Sequence, residues 1–205
     1  MIDNYTDLTL SLFLEVDRVL RSEADEIDKQ VAIIALLSGK DESEILAMPL
    51  PDYSALAAKT DFLRHECPPA SAPSRLICGG FTLIPTQDFT KITTAQYVDF
   101  QTFSKGGVDK LAELLAVLLI PEGCKYNDGY NFADVVKAVG SVPLPVALGL
   151  SAFFFGALSA SIRASLTSLE EATKNLPLNQ RTEMLKKTQE LARTLHGVGW
   201  PASIE

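Results

Sequence analysis

The sequence predicts a mainly α-helical protein, a helical bundle with a small β-hairpin insertion. Apolar residues recur at three- and four-residue intervals through most of the chain, which is the period of a helix that buries one face. Proline and glycine cluster between these stretches and punctuate them. Two short apolar runs on either side of Gly79-Gly80 read instead as strands joined by a tight turn.

From Thr6 to Leu20, the residues Leu8, Leu10, Leu12, Phe13, Val16, Val19 and Leu20 predict a first helix with one buried face. A second runs from Ala24 to Leu37 through Ile27, Val31, Ile34 and Leu37, and Gly39 ends it. Asp41 followed by Glu44 predicts a capped third helix through Ala47, because a carboxylate oxygen accepts the orphan N–H groups of a first turn. Pro49 stops that helix. Pro51 and Asp52 then start a fourth, carrying Tyr53, Leu56, Ala57 and Leu63. The three prolines of CPPASAP, Cys67 to Pro73, deny the backbone helical continuity and predict a loop and an internal boundary.

Arg75 to Cys78 and Phe81 to Ile84 form the predicted hairpin, which must pack on helices or pair with another chain because a lone hairpin is marginal. Thr93 with Gln96 three residues later predicts another capped helix, with Ala95, Tyr97, Val98, Phe100 and Phe103, ending at Gly106-Gly107. Val108 to Ile120, dense in Leu and Ala, reads as a buried helix closed by Pro121 and Gly123. Asn131 caps a short helix through Val139, with Asp134 near the positive end of its dipole. A core helix starts near Pro145 and carries the stripe Phe155, Leu158, Ile162, Leu166 and Leu169; a last, more polar helix spans Asn179 to Leu195. The regions so defined are an acidic helical one (1–66), a hairpin plus helical core (67–175) and a C-terminal polar helix (176–205).

At 205 residues and 22.2 kDa with 47% hydrophobic residues, the chain can bury a core without disulfides or metals. Cys67, Cys78 and Cys124 are widely spaced with no CxxC, which argues against a disulfide framework or zinc site and for a reducing cytoplasm. Met1 to Leu10 lacks the basic and apolar regions of an export signal. The net charge of −8 and pI near 4.8 argue against a protein that wraps nucleic acid and disfavour an anionic membrane surface. Residues 1–66 hold 14 acids and 6 bases, whereas the remainder holds 12 of each. That field either steers a basic partner to the first third or marks a solvated helical surface. The 25 residues between Lys137 and Arg163 carry no charge. Pro143, Pro145, several serines and the lack of a flanking basic cluster nonetheless argue against a membrane span.

No catalytic residue, cofactor site or metal ligand emerges. His65 and His196 sit where cations cap helix C-termini, and HExxH, GxSxG, GxxxxGK[ST] and GxGxxG are all missing from the sequence. Asn127-Asp128-Gly129 lacks the alternating ligands and closing Glu of a calcium loop and reads as a tight turn. Lys186-Lys187 is too small a basic cluster for nucleic acid. Phe153-Phe154-Phe155 points in three directions on a helix, so its own chain or another subunit must surround it. The candidate partner-binding residues are Tyr97, Phe100 and Phe103 on one short helix and Phe81 with Leu83 on one hairpin face, with core packing as the alternative for each.

The segments ITTAQYVDFQTF (Ile92 to Phe103), LAELLAVLLIPEG (Leu111 to Gly123) and YNDGYNFADV (Tyr126 to Val135), with VAIIALLSGKDESEILAMPLPDYSAL (Val31 to Leu56), resemble in order and pattern a group of small proteins of tailed phages and prophages of Bacteroidetes hosts. That group is associated with tail assembly chaperones, which coat the tape measure protein while a tail is built. The resemblance implies a helical, non-catalytic, oligomerising protein of the host cytoplasm whose partner is the tape measure protein or another virion protein. A structural virion component, such as a connector or tail completion subunit, is the alternative. An enzyme whose site is assembled from scattered acids is a third reading.

Overall fold

Asn4 decides where the first helix can begin. Its side-chain oxygen accepts the backbone N–H groups of Thr6 at 2.9 Å and Asp7 at 3.1 Å, closing a local turn that competes with helix. Helix α1 therefore spans Leu10–Arg21, with Thr9 Oγ1 accepting the Leu12 N–H at 3.3 Å. Thr6 to Leu8, predicted as its first turn, lie ahead of it. Leu8 is fully buried, and its carbonyl accepts from Leu144 while Leu10 donates to Val142, both at 2.8 Å. This antiparallel clip between Thr9 and Pro143 fastens the start of the chain to residues 142–144. The computed structural model describes residues 1–157.

Helix α2, Glu26–Ser38, ends as predicted at Gly39, whose φ of 66° is the left-handed conformation open to glycine. Asp41 precedes the short α3, Glu42–Leu46, but its carboxylate makes no capping hydrogen bond. The acids of that turn can act only through the helix dipole. Helix α4, Leu50–Lys59, carries Pro51 in its first turn, and Leu63 falls beyond it in a separate 3-10 turn, Asp61–Arg64.

Strands β1, Leu76–Cys78, and β2, Phe81–Pro85, pair antiparallel with Cys78 opposite Phe81. Gly79 and Gly80 take φ values of 54° and 81°, the two positive dihedrals that a two-residue hairpin turn needs. Helix α5 spans Thr94–Ser104 with Thr93 Oγ1 accepting the Gln96 N–H at 3.1 Å. Beyond it the structure departs from the predicted helix over Val108 to Ile120. A 3-10 turn at Gly107–Lys110 leads into α6, Leu111–Leu118, and the chain then extends as β3, Leu119–Pro121. The reason is Pro121: continuing the helix would require its N–H for the carbonyl of Val117, and proline has none. β3 pairs antiparallel with β2, Leu83 opposite Pro121 and Pro85 opposite Leu119, giving a three-stranded sheet in the order β1-β2-β3.

Helix α7, Phe132–Gly140, is capped by Asn131, whose side chain accepts from Ala133 at 3.1 Å. The predicted core helix starts at residue 144 and is described to residue 157. The 67–73 loop crosses it, with Ala70 donating to the Pro145 carbonyl at 2.8 Å. Leu158, Ile162, Leu166 and Leu169, the predicted helix from Asn179 to Leu195, and His196 lie outside the described residues.

Helix α6 is the hub: every residue in it except Glu113 is buried. Around it one core collects Leu10 and Leu14 of α1, Ile33 and Leu37 of α2, Leu83 of β2, Phe100 of α5, Val135 and Val139 of α7, and Leu144, Leu150 and Phe154. This core draws on both sides of the 67–73 loop. A satellite cluster of Val31, Ile34, Ala35 and Ile45, covered by Met48, Tyr53 and Leu56, fills the space between α2, α3 and α4. The molecule is thus mainly α-helical with a small antiparallel sheet, and no helix among the described residues is long and apolar enough to cross a membrane.

Candidate protein-binding surface

The five predicted partner-binding residues do not form one exposed patch. Leu83 is fully buried and Phe100 is 5% exposed; both belong to the main core. The reason for Leu83 is its place on the central strand β2, on the face where Pro121 and Leu119 are also buried. Phe81, on the same side of the hairpin, is half-buried and packs against that core. Phe103 stacks on Phe132, with ring centroids 6.0 Å apart and planes 7° from parallel. Tyr97 is half-buried. Nearby, the Tyr126 hydroxyl donates to Asp99 Oδ2 at 2.7 Å; burial and then this carboxylate hold the phenol protonated well above its ordinary range. Of the phenylalanine triplet, Phe154 is buried edge-on against Phe89 at 6.4 Å, while Phe153 is 37% exposed.

Large apolar side chains reach solvent at Ile77 of β1, 78% exposed, and Val98 of α5, 53% exposed, and a further set lies near the start of the chain. Leu20 is 49% exposed, Ile27 71%, Leu46 70% and Leu50 74%, and all four lie in the acidic first third. The periodicity of α1 and α2 places Leu20 and Ile27 on buried faces; the structure does not. On the Ile27 stripe, Val31 and Ile34 are covered by the satellite cluster, whereas Ile27, one turn earlier, projects beyond that cover.

Leu20, Ile27, Ile33 and Leu63 line a groove of about 340 Å³ between the end of α1, the start of α2 and the Asp61–Arg64 turn, with Thr60 and Gln30 contributing polar atoms. The basic residues that line it, Lys29 and Arg64, and those on the adjoining α1 are already engaged. Arg21 bonds Asp17 at 2.7 Å and Asp109 at 2.8 Å, and Arg18 lies 3.5 Å from Asp109. The guanidinium of Arg21 holds the Asp109 carboxyl below its usual range, and the two carboxylates raise Arg21 in turn. Lys29 meets Glu26 at 3.3 Å and Arg64 meets Asp61 at 3.6 Å. Glu23, Asp25 and Asp28 are exposed and belong to no such pair among the described residues, so the start of α2, beside the groove, keeps a negative field.

Other candidate chemistry resolves into structure. His65 follows the 3-10 turn rather than α4, with Nε2 3.7 Å from Asp61. Asn127 and Gly129 take positive φ, 57° and 83°, and Lys125 bridges Asp128, closing the predicted tight turn. Among the described residues no three His, Cys, Asp or Glu side chains stand where they could hold a metal ion. Comparison of the chain with protein-family models, with curated proteins and with solved structures gives no significant match.

Proposed function

We propose that this protein works by binding other polypeptides, as a tail assembly chaperone that shields apolar helices of a tape measure protein. The observation that supports the reading best is the set of four large aliphatic side chains, 49–74% exposed, on the most acidic third of the chain. Each would contribute roughly 1–2 kcal/mol on being covered, the scale of an interface anchor. The surrounding carboxylates would favour solubility of the complex, since acidic side chains serve this better than basic ones. The sequence resemblance supplies the identity of the client.

Co-expression with the tape measure protein encoded in the same genome tests it. The client is expected to stay in solution and co-purify only when this chain is present, and the chain is expected to be missing from purified virions. Stoichiometric presence in virions would instead establish a structural component. Failure to retain the client would defeat the chaperone reading.

A further inference from the structure

We infer that the groove between α1, α2 and the Asp61–Arg64 turn takes a cationic amphipathic helix of a different chain; this rests on the partner-binding reading above and gives it a place and a chemistry. The walls are helical and aliphatic, Leu20 and Ile27 at the rim and Ile33 and Leu63 within. Such a groove receives side chains spaced one helical turn apart. Its volume of about 340 Å³ is at the small end of ligand sites. Its charged lining groups are occupied by each other or by neighbours, Glu26 by Lys29 and Arg64 by Asp61, leaving little polar chemistry to orient a small molecule.

Charge selects the occupant. Glu23, Asp25 and Asp28 flank Ile27 in sequence, are exposed, and lack ion-pair partners among the described residues. The cations that line the groove, Lys29 and Arg64, are paired with Glu26 and Asp61, and Arg18 and Arg21 of α1, outside the lining, are committed to Asp17 and Asp109. Lysine or arginine beside the aliphatic anchors of an incoming helix would meet this unbalanced edge. A second copy presenting the same region would bring like charges together, because residues 1–66 hold 14 acids against 6 bases. The committed occupant is therefore a heterologous basic helix.

Two synthetic amphipathic helices of about 18 residues, identical in their aliphatic face and flanked by Lys in one and Glu in the other, serve as probes against the full chain. Fluorescence anisotropy should show the Lys peptide binding more tightly, with the preference fading as ionic strength rises. Ile27→Glu should weaken that binding about tenfold or more; Ile27 is 71% exposed, so the fold should tolerate the change. Leu20→Ala is the milder second variant and should weaken it less. Equal affinity for the two peptides, no binding of either, or full binding by Ile27→Glu overturns the proposal. So does a dimer, seen by sedimentation, that Ile27→Glu abolishes. Client capture separates this inference from the chaperone reading: a client retained by Ile27→Glu at wild-type level places the contact elsewhere, whereas wild-type protein that captures none defeats the chaperone reading itself.

Discussion

Replacing Gln96 with methionine should destabilise the fold by about 1–3 kcal/mol, the cost of leaving one buried polar group unpaired. Helix α6 ends inside the core, where water cannot serve its last carbonyls. The helical partner of the Val117 carbonyl would be the N–H of residue 121, which is proline. Gln96, 5% exposed, supplies the missing donor through Nε2 at 2.8 Å, and Thr86 N–H does the same for Leu118 at 2.8 Å. Methionine matches glutamine in length and flexibility and leaves little cavity, so the change isolates the hydrogen bond. At this chain length each kcal/mol moves Tm by roughly 2–4 °C, and the midpoint followed by circular dichroism should fall by about 2–12 °C. Gln96→Ala should cost more, because a cavity adds to the unpaired carbonyl. A Gln96→Met protein that melts within about 1 °C of wild type would show that Val117 finds another partner and that the account of how α6 ends is wrong.

A Cβ at Gly149 would overlap the carbonyl of Ala70, so Gly149→Ala should lift the 67–73 loop off the helix and cost about 1–3 kcal/mol. Hydrogen exchange should quicken at Ala70, whose N–H is bonded to Pro145; unchanged protection there would refute the close approach. Asn131→Ala should cost about 1 kcal/mol by removing the cap of α7, read as a shift in denaturant midpoint without a change in slope, whereas Asn131→Asp should retain most of it. Asp88 accepts from the Thr90 hydroxyl at 2.6 Å, lies 3.0 Å from Lys91 Nζ and accepts from the Thr90 N–H at 3.0 Å, which together pull its carboxyl down to about 2. A depressed folded pKa means that the stabilisation is complete above the ordinary value near 3.8 and lost as pH falls toward about 2. The stability gap between wild type and Asp88→Asn should therefore close over that interval, and a gap constant with pH would count against these bonds.

The features legible in the sequence are those whose cause is local. Gly39 ends α2, Gly79-Gly80 turn the hairpin and Asn131 caps α7 because each acts on its own neighbours within a few residues. Thr93 with Gln96 was legible only in part: the threonine caps α5, but the glutamine side chain turns away from its helix to serve α6, a demand set by a residue 21 positions on. The strand Leu119–Pro121 was hidden in an unbroken apolar run, where a buried helix and a buried strand present the same pattern. Only pairing with β2, together with the missing proline donor, distinguishes them. Phe100 and Leu83 share faces with other apolar residues in the sequence, but the pattern does not say that those faces turn inward, which rules both out as exposed contacts.

The same ambiguity hides the exposed surface in the sequence. Periodicity reports which residues share a helix face; it does not report where the element covering that face stops. Ile27, Val31 and Ile34 form one stripe, yet the cover from Ile45, Met48, Tyr53 and Leu56 reaches only the latter two. The sequence did hold a sign of this. Four of the six residues from Glu23 to Asp28 are acidic, and a turn enclosed by core almost never carries so many charges. An aliphatic residue set among them has no core to enter. Nothing among the described residues covers it, and cover from another chain is the alternative that gives the acidic edge a physical use.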